Sequence, residues 1–315
     1  MSEQLVLVTG AAGGTQGKTG RKVTAMLLAR NIPVRALVRR SDERSEYLRQ
    51  LGAEVFEGDF LDPQSMQKAV RDVSSIYFAY PVQPGLAEAT ANVAVAARQA
   101  GVRRLINLVM LRSSLDAPTP RMRQNYLSEQ VFEWAGIGAV HVRATVFYEN
   151  VLRLMSSSLA AQGPIRLPWG NENTVPPLVA GEDVARVAVG LLAKPAVPPG
   201  SAYPLIGAVL SLQDILAAFS RALSREVRYQ EISDDDWRKG ALARGLNQHA
   251  VDHLSNLWIA LRSASTAREV RSLAVTDTIE MFGGAKPKSF EEFLKEEFAG
   301  GQKTGATDER EATNE

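Results

Sequence analysis

The chain has 315 residues, with 36 Lys and Arg against 35 Asp and Glu for a net charge of +1; there is no bulk field to hold nucleic acid or an anionic membrane surface. Hydrophobic residues make up 45% and charged residues 23%, the ordinary mix for a chain with a sizeable core and room for one large or two modest domains. Cysteine is absent, which removes disulfides, thiolate nucleophiles, zinc–thiolate sites and iron–sulfur clusters together.

No basic segment precedes a long apolar run at the start, and no stretch approaches the ~18 consecutive apolar residues of a membrane span. The expectation is a soluble, cytoplasmic protein. The histidines are His141, His249 and His253. The last two lie four apart without a surrounding HExxH pattern, so they read as solvated helix residues and not as metal ligands.

In chain order, Leu5–Val8 is an apolar run ending in Thr9-Gly10, the pattern of a buried parallel strand. A glycine-rich turn follows, then a helical pattern with Val23, Met26, Leu27 and Ala29 on one side. Val34–Val38 is predicted as the second strand, 43–51 as a short helix, and Ala53–Phe56 as the third strand, closed by Gly58-Asp59. Asp62 caps a helix that has Pro63 in its first turn. Ser75–Ala79, Arg104–Val109 and Ala139–Arg143 are the fourth to sixth strands, with helices at 86–100 and 125–135 between them. Strands alternating with helices imply right-handed crossovers and a doubly wound parallel sheet, so the fold class is α/β.

Beyond residue 150 the rhythm changes. A helix near 149–161 leads to an irregular segment rich in Pro, Asn and Trp over Leu167–Pro177. Helices at 181–193 and Leu212–Leu223 flank a candidate strand, Tyr203–Ile206, and the remainder to Phe298 is mostly helical. Leu254, Trp258 and Leu261 share a helical stripe and read as core, and Asp234-Asp235-Asp236 as a solvated capping cluster. Arg121 and Arg123 fall in a Pro-rich loop, where they could meet an anionic substrate or stay in solvent. The segment 299–315 has no apolar residue larger than Ala and is expected to be disordered.

The turn TGAAGGTQGKTG admits two readings. Gly10, Gly13, Gly14, Gly17 and Gly20 sit between the first strand and first helix, where a dinucleotide fold lets backbone approach a pyrophosphate at a helix N-terminus. The same letters hold Ala12 followed, after four residues, by Gly17-Lys18-Thr19, a phosphate-loop match if Ala stands for the first Gly. Lys18 and Thr19 would then serve a nucleoside triphosphatase. Such an enzyme also needs an aspartate ending a buried strand, and the strands at 75–79 and 104–109 end without one. The second strand ends in Val38-Arg39-Arg40-Ser41 and carries no Asp or Glu for ribose hydroxyls. Two guanidiniums favour a 2′-phosphate, so NADP(H) is preferred over NAD(H).

The run VTGAAGG…TGRKVTAMLLARNIPVRALVRR resembles the opening of the NmrA-like family of atypical short-chain dehydrogenases/reductases. The similarity continues through EGDFLDPQSM, VRRLINLVM, YLSEQVFEWAGIGAVHVRATVFYENVL, PLVAGEDVARVAVGLLAKP and AYPLIGAVLSLQDILAAFSRALSREVRYQEIS, and covers residues 4–298. It implies a Rossmann NAD(P)-binding domain over 1–150, to which about 172–210 return, and a smaller, mostly helical substrate lobe over 151–298. Under that resemblance Gly10, Gly13, Gly14, Thr15 and Gln16 cradle the pyrophosphate, and Arg39 and Arg40 take the 2′-phosphate. Asp59 and Phe60 flank the adenine, Ala79, Tyr80 and Pro81 line the ribose path, and Thr145, Val146 and Phe147 approach the nicotinamide.

The chain also departs from the family. Reductases of this kind have a lysine where Asn125 stands, and a serine where Val109 ends the fifth strand. Tyr126 has Gln130, not Lys, four residues on, so it is a phenol without an activating cation. Asn125 and Tyr126 are the catalytic candidates that remain. The resemblance implies an NADPH-dependent reductase of a small quinone-like or other conjugated acceptor. The alternatives are a non-catalytic NADP(H) sensor or the triphosphatase. The implied partners are a small-molecule substrate and a second copy of the chain, with neither nucleic acid nor membrane.

Overall fold

The computed structural model describes residues 4–13, 17–171, 173–263 and 273–301. The elements run β1 (Val6–Val8), α1 (Thr19–Leu28), β2 (Val34–Val38), α2 (Glu43–Gln50), β3 (Glu54–Glu57), α3 (Pro63–Ala69), β4 (Ser75–Phe78), α4 (Leu86–Gln99) and β5 (Arg104–Met110). Next come α5 (Pro120–Ala135), β6 (Ala139–Ala144), β7 (Val146–Phe147), α6 (Tyr148–Ala160), β8 (Ile165–Leu167), β9 (Pro177–Val179), α7 (Gly181–Ala193) and β10 (Ala202–Leu205). The chain closes with β11 (Ala208–Val209), α8 (Leu212–Leu223), β12 (Tyr229–Glu231), α9 (Asp234–Ala243), α10 (Gln248–Arg262), α11 (Thr278–Gly283) and α12 (Phe290–Gly301).

Seven strands pair in the order β10-β6-β5-β4-β1-β2-β3, and every pairing in that sheet is parallel. Alternation along β1 sends Val6 and Val8 into a core beneath α1 and α7, and Leu7 into a second core beneath α3, α4 and Phe132 of α5. Covering both faces is what makes the strands read as unbroken apolar runs. The order of strands reverses between β1 and β4, and the crevice outside the carboxyl ends there is where open sheets of this kind bind ligands.

A third core holds α6, α8, α9, α10 and α12 around Trp169 and Trp258, whose ring centres lie 5.1 Å apart. It includes short pairings that local sequence does not announce: β8 with β12 in parallel, and β9 between β7 and β11. These convert parts of the expected irregular segment into strand. Two later segments, α7 and β10, belong to the main sheet layer. Among the described residues no helix is long and apolar enough to cross a membrane.

Four expectations change. The fifth helix starts at Pro120, because Thr119 caps it by accepting the Met122 N–H at 3.1 Å. Arg121 and Arg123 therefore lie in its first turn and not in a loop. His253 is buried in contact with Thr119 instead of solvated, and Leu254 is only partly buried beside Trp258 and Leu261. The last helix runs to Gly301, into the start of the segment expected to be disordered; residues 302–315 lie outside the described residues.

His141 illustrates how the sheet core treats a polar residue. The Asn107 amide lies 3.3 Å from its Nδ1, and its Nε2 lies 3.1 Å from Glu133 Oε1. An amide donor at Nδ1 leaves the ring proton on Nε2, facing the carboxylate. Burial, reinforced by the Arg143 charge, lowers the His141 pKa to about 4. Below pH 6.5 the unfolded chain takes up a proton that the fold refuses, so this contribution to stability is lost as pH falls. The stability difference between the parent and His141→Gln should shrink by up to about 1.4 kcal/mol per pH unit between pH 6.5 and 4. Urea denaturation of both proteins across that range measures it, and a pH-independent difference would contradict a neutral His141.

Candidate functional site

The turn after β1 is shaped by backbone. Gly10, Gly13 and Gly17 have φ of 62°, 68° and 63°, left-handed values that glycine adopts without strain. A side-chain carbon on Gly20 would lie 2.4 Å from the Gly10 carbonyl oxygen and 2.5 Å from that of Thr9. Helix α1 thus starts with its backbone against the end of β1. Thr9 ties that end to β4, accepting the Ala79 N–H at 2.8 Å and donating to the Ala79 carbonyl at 3.0 Å. Lys18 occupies the N-cap without a side-chain cap bond, and no acidic residue occupies the first turn. The first N–H groups and the helix dipole are left to an anion. Gly14, Thr15 and Gln16 lie outside the described residues.

The phosphate-loop reading fails on Thr19. Its hydroxyl is buried and accepts the Tyr77 hydroxyl at 2.8 Å, inside the core, while Lys18 is exposed. A magnesium ligand at Thr19 would have to break that contact.

The other expected nucleotide contacts are arranged along the carboxyl ends of the strands. Arg39 and Arg40 follow β2, exposed, and neither has a side-chain partner among the described residues. Asp59 accepts the Leu61 N–H at 2.9 Å. Phe60 turns edge-on to Phe78 and Tyr80, at 5.7 and 5.4 Å, so its ring is half in the core. Ala79 and Tyr80 continue β4 beside Gly10, with Pro81 exposed after them. Thr145 donates to the Leu205 carbonyl at 3.2 Å. Val146 and Phe147 form β7, and the Phe147 ring packs on the turn at Gly17.

On α5, Asn125 is buried with its Oδ1 unpartnered. Tyr126 beside it is half-buried, and on the same helix Glu129 is held by the Arg143 guanidinium through bonds of 2.9 and 2.6 Å. Burial outweighs Arg143 and raises the Glu129 pKa.

Further unpartnered buried atoms on these helices are Nε and Nη1 of Arg121 and Oε1 of Gln124 on α5, Oδ1 of Asn150 and Nε of Arg153 on α6, and Nε2 of His249 on α10; others belong to Arg21, Trp169, Asp234 and Trp258. Folded proteins keep few such groups, each costing about 1–3 kcal/mol. Helix α5 leaves the carboxyl edge of the sheet after β5, and Arg121 in its first turn reaches the Tyr80 carbonyl at that edge. Gln124, Asn150, Arg153, His249 and His253 were not expected as site residues. Only the one-turn spacing of Asn150 and Arg153, and of His249 and His253, hinted at them. The open backbone turn at a helix start fits the pyrophosphate of a dinucleotide.

The NmrA-like family model matches residues 2–294. An NAD(P)H azoreductase from Xenophilus azovorans is 26% identical over 284 residues, covering 90% of this chain and 95% of that protein. The crystal structure of an NADPH-dependent quinone oxidoreductase from Escherichia coli, complexed with NADPH, is similar with a TM-score of 0.76 at 21% identity, covering 93% of this chain and 99% of that one. The negative transcriptional regulator NmrA, in complex with NADP, is as similar in fold, with a TM-score of 0.76 at 19% identity, covering 98% of this chain and 99% of that one.

The contact at Gly20 gives a direct test of the turn. Gly20→Ala should lower stability by about 1–3 kcal/mol, the range for forcing extra atoms into a packed site, because both obstructing atoms are backbone. Chemical denaturation of the parent and variant measures the difference, and equal midpoints would show that α1 moves away without cost.

Proposed function

The chain belongs to the NmrA-like family, and within it we propose an NADPH-dependent reductase of a small quinone-like or other conjugated acceptor. The observation that carries this reading is the turn at the switch point, where left-handed glycines and an uncapped helix start stand near two unpaired arginines after β2. The azoreductase and quinone oxidoreductase relatives support a reductase.

In this reading Gly10, Gly13, Gly14, Thr15 and Gln16, with the first N–H groups of α1, hold the pyrophosphate. Arg39, with Arg40, pairs with the 2′-phosphate. Asp59 and Phe60 flank the adenine, Ala79, Tyr80 and Pro81 the ribose, and Thr145, Val146 and Phe147 the nicotinamide. The cofactor supplies the hydride when bound. Residues 1–150, with 172–210, serve the nucleotide, and the lobe over 151–298 covers the acceptor and keeps water out. Reduction of a quinone asks less proton donation of the protein than carbonyl reduction does, which suits a site without a lysine at position 125.

Asn125 and Val109 also favour a second reading, a non-catalytic NADP(H) sensor, and the regulator NmrA is among the structural relatives. Turnover of NADPH with a panel of quinones separates the two.

NADPH should bind at least tenfold more tightly than NADH, a difference of about 1.4 kcal/mol, and Arg39→Ala should remove most of it. Lys18→Ala should stay within a few-fold of the parent. Calorimetric titration with both cofactors measures these effects, and equal affinities in the parent would overturn the arginine assignment. Tyr126→Phe should reduce quinone turnover less than tenfold, whereas loss of a general acid typically costs about 10²–10⁴-fold; steady-state rates decide.

A further inference from the structure

Residues His249 and His253 share one face of α10, and that face meets the first turn of α5. Thr119, the cap of α5, accepts the Met122 N–H and lies 3.0 Å from His253 Nδ1. Its own proton is free to go to Nδ1, which leaves the ring proton of a neutral His253 on Nε2. Two residues on, Arg121 is 3% exposed. Its Nη2 donates to the Tyr80 carbonyl at 2.6 Å, and its guanidinium carbon lies 5.5 Å from the centre of the Tyr80 ring. Nε and Nη1 have no partner among the described residues, nor does the buried Nε2 of His249.

Among the described residues, what is missing is an acid. Burial lowers the Arg121 pKa to about 10, and Tyr80 is the group that acts against this; the side chain stays charged at neutral pH without a carboxylate beside it. Burial and the Arg121 charge lower both histidines, to about 3 for His253. Asp252 acts on His249, but its carboxylate is held by Arg238 and by Gln248. The next turn of α5 brings neutral carboxamides, Gln124 and Asn125. A buried guanidinium is tolerated where something supplies its counter-charge. Among the described residues nothing does, and the cluster adjoins Tyr80 just beyond the carboxyl end of β4.

We propose that Arg121, with His249 and the Thr119-held His253, binds an anionic substituent of the acceptor: a phosphate, sulfonate or carboxylate fixed to the conjugated ring. Taking that anion as part of an acceptor rests on the reductase reading, while the anion site itself rests on the cluster. Arg121 supplies the charge and two free donors, and the histidine edges complete the wall facing α5. Substrates of this class are oriented by the anion, with the ring directed along the β4 edge.

Calorimetric titration of 1-naphthalenesulfonate, against the neutral 1-(methylsulfonyl)naphthalene of similar size, tests this with and without NADP+. The parent should bind the sulfonate at least tenfold more tightly than the sulfone. Arg121→Gln should erase that preference without changing affinity for the sulfone, and His249→Gln should reduce it about threefold. If Arg121→Gln does not fold, Arg121→Lys and His249→Gln carry the test, both weakening the sulfonate alone. Equal affinities in the parent, a preference that survives these substitutions, or displacement of the sulfonate by NADP+ would overturn the proposal, the last by assigning the guanidinium to the cofactor. The measurement needs no turnover. Arg121-dependent sulfonate binding in a protein that reduces no quinone would leave the anion site standing and refute the reductase; quinone reduction without any preference for the sulfonate would do the reverse.

Discussion

The contact of Gly20 with the carbonyl oxygens of Thr9 and Gly10 fixes where α1 begins, and the rest of the site is measured from that point. Backbone meets backbone there, at distances no side chain permits. The clasp of Thr9 on Ala79 then locks the neighbouring strand end at the same height. A helix start, a left-handed turn and the switch point of the sheet are thereby brought to one edge. This arrangement depends little on side-chain identity, which is why a nucleotide site of this type reads as a pattern of glycines and small residues.

The opposite side of the cleft is built differently. Helices α5 and α6 and the face of α10 contribute polar side chains whose partners are incomplete. In the sheet core the equivalent groups are satisfied: Asn107, Ser128, His141 and Glu133 form a connected chain, and Arg143 saturates Glu129. The contrast is within one helix. Ser128, Glu129 and Glu133 of α5 have partners, whereas Arg121, Gln124 and Asn125 have unpartnered atoms. The division falls where α5 passes from the cleft to the sheet.

The parallel sheet was legible because strands buried on both faces, separated by capped helices, leave strong local patterns; Asp62 and Pro63 marked α3 correctly. What was not legible depended on distant pairing. Strands of two or three residues such as β7, β8 and β12 exist only through their partners. The start of α5 was misread although Thr119-Pro120 is a helix-start signal, because the neighbouring prolines suggested a loop. His253 reads as solvated when the absence of an HExxH pattern is the only test applied to it. Ala250, His253, Trp258 and Leu261 in fact form the buried face of α10, and a spacing argument that included histidine would have found it. The left-handed glycine turn was legible as a break between β1 and α1; the unpartnered polar groups were not, since they come from three separate helices.

Loss of the family lysine and serine bears on chemistry without touching the turn. A scaffold whose nucleotide contacts are mostly backbone can keep its cofactor while position 125 changes, so Asn125 and Val109 alone do not decide between enzyme and sensor. The unpartnered atoms bear on it more directly. Were the cleft only a structural interior, apolar residues in place of Arg121 and His249 would be neutral or stabilising, since an unmet buried donor costs about 1–3 kcal/mol and a buried charge more. Carrying both at the mouth of the sheet is an energetic burden that a second ligand beside the nucleotide would relieve. A sensor that responds to cofactor occupancy alone has no use for such a group. The balance of these costs supports the proposed acceptor over the sensor.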